Sequence, residues 1–214
     1  MKKQLLSLAI LALAINANAQ IDFASTKLEV AGNYTKFGGD FGKSTTGIKI
    51  GAAVPISEKQ SAGLSFTLNF PINEASTVRL SGGGSLPSEI KYNFKTIGAN
   101  LTRYFGEEKW EGFTPYGNVN VALVLVGYTE SVRGTIPAGQ TVTDLTPKGS
   151  LSGFTFGAGL GGQYSFGKPK VFLEANAAIP ANKANNTYIS NPIPFHYNVN
   201  IGFRFSLGES ASNN

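Results

Sequence analysis

The only histidine of this 214-residue chain, His196, is the first side chain to consider for catalysis. A catalytic histidine needs a nucleophile and an orienting acid within hydrogen-bond reach. The residues on either side of His196, PF and YN, supply neither. A lone histidine also argues against a structural zinc site, and the absence of cysteine excludes thiol catalysis. We therefore predict that the protein is not an enzyme and has no catalytic residue, no metal site and no cofactor.

A glycine-rich stretch matches a nucleotide-binding fingerprint in its letters. Residues 157–162 read GAGLGG, which fits G-x-G-x-x-G. That fingerprint requires a strand before it and a helix after it. Here the alternation of small and apolar residues continues through the motif and into QYSF. We predict that these glycines lie inside a strand and leave room for bulky neighbours.

Charged residues offer a second kind of chemistry, the pairing of charges away from water. Glu29, Lys49, Glu174 and Arg204 lie on the polar side of segments in which apolar and polar residues alternate, and Arg103 lies in a segment of ambiguous phase. If the polar sides face one interior, these charges must pair, because an unpaired buried charge is costly. Glu174 and Arg204 are expected at similar depth on neighbouring strands. The network would either fill the interior as a polar plug or gate an ion path.

The segments that position these residues are strands, and the last one, residues 195–207, is the clearest. Every second residue from Phe195 to Leu207 is apolar or aromatic, and no large apolar side chain lies between them. Successive side chains of a strand point to opposite faces, so this segment has one apolar and one polar face. At a tilt of about 45°, a strand of this length crosses the hydrocarbon core of a bilayer.

The same alternation predicts eight strands in all. Their expected ranges are 27–37, 46–56, 61–72, 90–105, 113–129, 151–166, 171–180 and 195–207. Connections alternate between long and short, and the long polar loops are expected at 73–89, 130–150 and 181–194. An even strand count with short turns at one end is typical of single-chain outer-membrane barrels. In the fourth segment the apolar phase switches between Phe94 and Ile97, which indicates a bulge or a strand that leaves the membrane early.

The N-terminus has the features of a secretory signal peptide. Lys2 and Lys3 precede an apolar run, and an A-x-A site ends at Ala19. We predict a signal peptide over residues 1–19 with cleavage between Ala19 and Gln20, a barrel domain over 20–207 and a polar tail over 208–214. Lys2 and Lys3 supply two of the formal net charge of +5, so the mature chain is near +3. That mild charge argues against a nucleic-acid partner.

The polar faces decide which side of the strands meets lipid. A soluble β-sandwich also alternates, but its solvated face is usually rich in Lys, Glu and Thr. Here the polar faces carry mainly Gly, Asn, Ser, Gln and Thr, which suit the crowded interior of an eight-stranded barrel. We predict an all-β fold, an eight-stranded antiparallel up-and-down transmembrane β-barrel. Aromatic girdles are expected from Tyr34, Phe70, Tyr92, Phe105, Phe113, Tyr116, Tyr128, Phe154, Phe166, Phe195 and Phe205.

The whole pattern resembles the small outer-membrane β-barrels of Gram-negative bacteria, the OmpX-like and OmpA-transmembrane-type group. The last strand, with Tyr197, Phe203 and Phe205, looks like the signal that the barrel-assembly machinery recognises, although here a polar tail follows it. The resemblance implies an outer-membrane location, a lipid environment and assembly by that machinery.

A barrel with long loops also favours a class of function, because loops on a rigid scaffold are where binding usually resides. The leading expectation is a structural or surface-interaction role, in which extracellular loops meet a ligand in adhesion or support the integrity of the envelope. The alternative is a narrow channel for ions or small solutes. A membrane lipid-modifying enzyme that uses His196 is the third and weakest hypothesis.

Overall fold

The fold is seen in a computed structural model that describes residues 26–106, 111–167, 169–181 and 193–207. The predicted signal peptide, its cleavage site and the whole polar tail lie outside these residues. The described strands are β1 (Lys27–Phe37), β2 (Ser44–Ser57), β3 (Gln60–Asn69), β4 (Ile72–Arg79), β5 (Ser85–Tyr104), β6 (Glu111–Val132), β7 (Gly149–Phe166), β8 (Pro169–Pro180) and β9 (His196–Ser206). A short 3-10 helix spans Gly39–Phe41. No helix among the described residues is long and apolar enough to cross a membrane.

The strands form one antiparallel ring. Each pairs with its neighbour in sequence except β3 and β4, which both pair with β5, and β1 pairs with β9. Leu68 is opposite Lys95 and Ile72 is opposite Tyr92, so β3 and β4 together contain one residue more than the facing part of β5. This extra residue is a bulge at the Phe70–Pro71 junction, where proline removes a backbone donor. The two strands therefore share one position, and the predicted eight-stranded barrel is confirmed.

The prediction of a loop at 73–89 is wrong, because most of these residues belong to β4 and β5. β4 and the start of β5 form a hairpin whose turn contains Gly83 and Gly84, both with φ of +86°. Serines, threonines and glutamates in this stretch led to the prediction of a polar loop, but they belong to a sheet that extends beyond the apolar belt. The next expected loop, 130–150, is shorter than predicted because β6 runs to Val132 and β7 begins at Gly149. The third, 181–194, lies mostly outside the described residues.

The phase switch in the fourth predicted strand has a simple cause. β5 pairs with β6 in an unbroken register from Ser88 to Tyr104, so β5 itself has no bulge there. Tyr92 and Phe94 point into the barrel, whereas Ile97 and Leu101 point outward. The strand leaves the apolar belt between Phe94 and Ile97, so the apolar side changes from the lipid-facing wall to the interior.

The barrel thus has an apolar outer wall and a mixed interior. Among the described residues, thirty large apolar side chains are exposed, and all of them except Ile136 and Leu145 lie outside the loop at 133–148; Leu64 and Leu160 are each about two thirds exposed. Eight of the predicted girdle aromatics lie on this wall: Tyr34, Phe70, Phe105, Phe113, Phe154, Phe166, Phe195 and Phe205. The prediction is wrong for Tyr92, Tyr116 and Tyr128, which are buried inside. On β6, Tyr116 lies on the same face as Thr114 and Asn118, which point inward.

Candidate functional site

Four of the charged residues singled out in the sequence form a closed ring inside the barrel. Lys49 Nζ lies 2.8 Å from Glu29 Oε1 and 3.2 Å from Glu174 Oε1. Arg204 Nε lies 2.9 Å from Glu29 Oε2, and its Nη2 lies 3.6 Å from Glu174 Oε2. Each cation therefore contacts both carboxylates, and the side chains are at most 14% exposed. Positive and negative charges alternate around the ring and cancel, which is the arrangement that burial favours.

Arg103 does not belong to this ring. It is exposed on the outer wall of β5, while its neighbours Thr102 and Tyr104 are buried inside. The prediction that it faces the lumen is wrong because the unbroken register of β5 places all its odd-numbered residues outside.

Arg204 is held by residues that the sequence did not suggest. Its Nη1 donates to Gln163 Oε1 at 3.0 Å and its Nη2 donates to Tyr116 Oη at 3.1 Å. The guanidinium also lies 4.7 Å from the centre of the Tyr116 ring and 4.2 Å from that of Phe172. The sequence did contain a sign of these contacts. Tyr116 and Phe172 lie on the same face of their strands as the polar residues, which places them inside the barrel. These contacts close the barrel on the side of the chain termini.

A polar cavity of about 80 Å³ lies on the other side of the ring. Its walls are rich in asparagine, and Asn200 and Asn176 each donate to Glu174 Oε1. Side-chain oxygens of Asn69, Asn118, Thr155 and Asn176 are buried here without a hydrogen-bond partner among the described residues. A polar space of this size has room for several waters, and we call it the chamber.

Glycines of β7 make the chamber possible. A Cβ on Gly159 would lie 2.0 Å from Asn176 Oδ1, and one on Gly161 would lie 2.5 Å from the Tyr116 ring. The stretch that matched the nucleotide fingerprint is therefore the interior of a strand, and its glycines give space to the large side chains of β6 and β8.

An apolar cluster closes the opposite end of the chamber. Its buried members are Phe37, Ile72, Tyr92, Phe94, Val124, Val126, Tyr128 and Ile193, with Phe41, Ile90 and Leu151 packed against them. The rings of Phe37 and Phe94 are 4.5 Å apart, and Phe41 of the 3-10 helix packs on both Phe94 and Tyr92. The barrel interior is therefore filled at both ends.

His196 belongs to this packed end. Its Nδ1 lies 3.1 Å from the carbonyl of Pro194, and its ring centre lies 5.7 Å from that of Phe37. Neither partner is a nucleophile or an acid. Among the described residues, no group of three or more His, Asp or Glu side chains is placed to hold a metal ion.

A second candidate site stands above the apolar belt, where β4, β5 and β6 extend as a protruding sheet. The loop at 133–148 is fastened to its tip. Thr143 N donates to Arg79 O, Ser81 N donates to Thr141 O, and Leu80 is bridged to Val142. These contacts hold the loop against the tip as part of the sheet.

Glu130 fastens the base of the same loop. Its carboxylate accepts hydrogen bonds from Ser88 Oγ and from the backbone amide of Thr146, the latter at 2.7 Å. Burial raises the pKa of Glu130, but the hydrogen bonds from Ser88, Thr146 and Ser76 outweigh it and hold the pKa below its usual range.

One edge of the protruding sheet is open. The backbone of Arg79 faces away from β5, since its carbonyl accepts from Thr143 and its amide donates to Asp144. In a strand, the amides and carbonyls of every second residue point to the same side. Those of Ala75 and Thr77 therefore face away from β5, as those of Arg79 do. β4 pairs with no strand on this side among the described residues.

Both ends of this open edge are covered. At the lower end, Phe70 N donates to Thr46 O, and Thr45 Oγ1 donates to Phe70 O at 2.7 Å. At the upper end, residues 141–144 pair with the tip of β4. The slot between them spans residues 73–77.

Comparison with solved structures identifies the fold. Neisserial surface protein A (NspA) aligns with a TM-score of 0.60 and 13% identity, over 85% of this chain and 96% of its own. The outer membrane protein OprG from Pseudomonas aeruginosa aligns with a TM-score of 0.50 and 14% identity, over 86% of this chain and 96% of its own. The fold is that of the small outer-membrane β-barrel proteins, and the predicted resemblance is confirmed.

Sequence comparison adds no closer relation. No protein-family profile matches the chain, and no curated protein matches it in sequence.

Proposed function

We propose that this protein is a closed barrel of the bacterial outer membrane that binds an extended segment of a partner outside the cell. The apolar outer wall and the alternating charge ring inside support insertion in a bilayer. The filled ends of the interior support a binding role over transport. This is the surface-interaction role expected from the sequence, and it also fits a contribution to envelope integrity.

The single observation that carries the proposal is the open edge of β4. A strand edge with free amides and carbonyls is a template for another strand, and proteins usually cover or shorten such edges. Here the edge is held rigid by the β4–β5 pairing and stands above the membrane, where side chains of Asn73, Ala75 and Thr77 are exposed. Strand addition at an edge gives affinity through main-chain hydrogen bonds and specificity through alternate side chains.

The test uses a phage-displayed library of random peptides panned against the mature barrel in lipid nanodiscs. We expect enrichment of extended sequences rich in β-branched residues. Ala75→Pro removes a donor that faces the open slot, and it leaves the β4–β5 hydrogen bonds in place because the Ala75 amide does not face β5. We expect this variant to bind enriched peptides about tenfold more weakly, from the lost hydrogen bonds and the ring clash.

Ala75→Thr is the matched control, because it keeps the amide and adds only an exposed β-branched side chain. It should bind as the wild type does. Equal binding of the Ala75→Pro variant, or a failure to enrich any peptide, would contradict the proposal. Heat-modifiable gel migration checks that both variants still form the barrel.

A second candidate function is a narrow ion path, and one observation favours it. A smaller polar cavity of about 20 Å³ lies on the terminal side of the ring, lined in part by Lys27, Glu29, Lys49 and Arg204. The ring therefore separates two polar spaces, and re-pairing of its charges would connect them. Single-channel conductance that collapses in an Arg204→Ala or Glu174→Ala variant would support this path over the closed barrel.

Location and assembly are tested separately from binding. We infer that Tyr197, Phe203 and Phe205, which lie exposed on the outer wall of β9, form the assembly signal, and that cleavage after Ala19 releases the mature chain. Replacement of Phe203 and Phe205 by Ser should reduce the amount recovered in the outer-membrane fraction. The N-terminal residue of the mature protein, found by mass spectrometry, should be Gln20.

A further inference from the structure

The outer wall is interrupted by charge on one strand. Near the two edges of the apolar belt, β5 carries an outward-facing charged side chain among the described residues, Arg103 at one edge and Lys95 at the other. Lys91 follows on the same face above Lys95. By contrast, the outward faces of β8 and β9 carry no charged residue from Val171 to Ile179 or from Tyr197 to Phe205.

These cations lie directly beside apolar side chains. Lys95 is opposite Leu68 on β3 and Leu125 on β6, and residues opposite each other in an antiparallel pair share a face. Arg103 is flanked along its strand by Leu101 and Phe105, both exposed on the wall. Among the described residues, none of Lys91, Lys95 and Arg103 has an ion-pair partner.

The spacing of Arg103 and Lys95 matches the thickness of a bilayer. Eight residues separate them along β5, which is about 26 Å of strand and roughly 20 Å of height at the usual tilt. The apolar band of an outer-membrane barrel is about 25 Å tall. Each cation therefore lies close to one boundary, within reach of the lipid headgroups by extension of its side chain.

We propose that the outward face of β5 is a binding site for lipid phosphates in both leaflets. Arg103 binds a phosphate on the side of the chain termini, and Lys95, with Lys91 above it, binds a phosphate on the side of the long loops. A cation on the lipid-facing wall is costly unless its charge reaches the interface, and an anionic headgroup is its complementary partner there. The site is independent of the open edge of β4.

This site gives the barrel a preferred lipid neighbour on one side. Lipids against β8 and β9 meet apolar side chains alone, whereas a lipid against β5 gains an ionic contact. The outward stretch between the two cations holds Ile97, Ala99 and Leu101, so acyl chains still have an apolar surface to cover.

The experiment is native mass spectrometry of the barrel refolded in vesicles made of equal parts phosphatidylcholine and phosphatidylglycerol, then extracted in mild detergent. We expect the wild type to retain bound phosphatidylglycerol. Each substitution, Arg103→Gln or Lys95→Gln, should lower the occupancy by about fivefold, the value of one cation near a charged membrane surface. The double variant should lose most of the bound lipid.

Two variants serve as matched controls. Lys36 is an outward lysine above Tyr34 whose Nζ donates to Gly42 O at 2.6 Å, and Arg79 is at the hairpin tip, where it pairs with Asp144. Lys36→Gln and Arg79→Gln should retain lipid as the wild type does. Equal lipid loss in these controls, or unchanged retention in the double variant, would overturn the proposal. Heat-modifiable migration shows that each variant is folded.

Discussion

At the scale of residues, the charge ring makes a clear prediction about stability. Glu29→Gln removes one carboxylate and leaves Lys49 and Arg204 with Glu174 as their shared partner. Breaking a buried ion pair in this way costs about 3–5 kcal/mol. The free energy of unfolding, measured by urea titration in detergent micelles, should fall by that amount.

A double variant separates lost pairing from lost packing. Glu29→Gln combined with Lys49→Met removes one charge of each sign and leaves Glu174 with Arg204. It should be more stable than Glu29→Gln alone, because no unbalanced charge remains. Glu58→Gln, in the exposed β2–β3 turn, is the control and should change little. A double variant less stable than the single one would contradict the pairing.

Two glycines in strands differ in the space around them. A Cβ on Gly202 would lie 2.1 Å from Val30 O and 2.5 Å from Ala31 Cα, both backbone atoms of β1, whereas a Cβ on Gly127 would meet nothing within 4 Å. Gly202→Ala should destabilise the barrel by about 1–3 kcal/mol through overpacking. Gly127→Ala should be neutral or mildly stabilising. Urea unfolding of the two variants tests this, and an equal effect would contradict it.

Glu130 makes the attachment of loop 133–148 sensitive to acid. Its folded-state pKa is lowered from 4.5, so its stabilising effect is complete above pH 4.5 and is lost as the pH falls through the lower folded-state value. The amide signal of Thr146, followed by NMR through a pH titration, should move with a midpoint below 4.5. A midpoint at or above 4.5 would contradict the hydrogen bonding seen here.

At the scale of elements, the sequence predicted strands well wherever the outer wall is apolar. β7, β8 and β9 lie close to their expected positions because alternation with lipid on one side is a strong signal. β4 was missed because its outward residues are small or polar and its inward face places Glu74 and Ser76 between Ile72 and Val78, so regular alternation is absent. The charged residues of the ring could be predicted because they lie on the polar face of alternating strands. The contacts that Tyr116, Gln163 and Phe172 make with Arg204 depend on the register between strands, which cannot be read from one sequence.

The fastening of loop 133–148 to the sheet can be broken with one substitution. Thr143→Pro removes the amide that donates to Arg79 O, so the loop should detach from the tip while the barrel stays intact. Limited proteolysis should then cut within 133–148 at least several times faster. Thr143→Ser keeps the amide and also the hydroxyl that donates to Arg79 O at 3.3 Å, so it is the control, expected to be cut at the wild-type rate. Equal rates in the two variants would contradict the contact.

At the scale of the whole molecule, the apolar wall requires a lipid or detergent partner. The mature protein should aggregate in plain buffer and remain monodisperse in detergent, because its largest apolar surface faces outward. In gel electrophoresis the unheated protein should migrate differently from the boiled protein. A monodisperse protein in buffer without detergent, seen by light scattering, would mean that the wall is not a membrane surface.

The charge ring also decides how the barrel responds to voltage. Moving one elementary charge through 100 mV is worth about 2.3 kcal/mol, so an unbalanced group at this depth would be pulled by any potential across the bilayer. The charges of the two cations and the two carboxylates sum to zero, and each cation lies between two carboxylates. A uniform electric field therefore exerts no net force on the ring as a whole, so a potential across the bilayer should not drive the ring towards either side of the membrane.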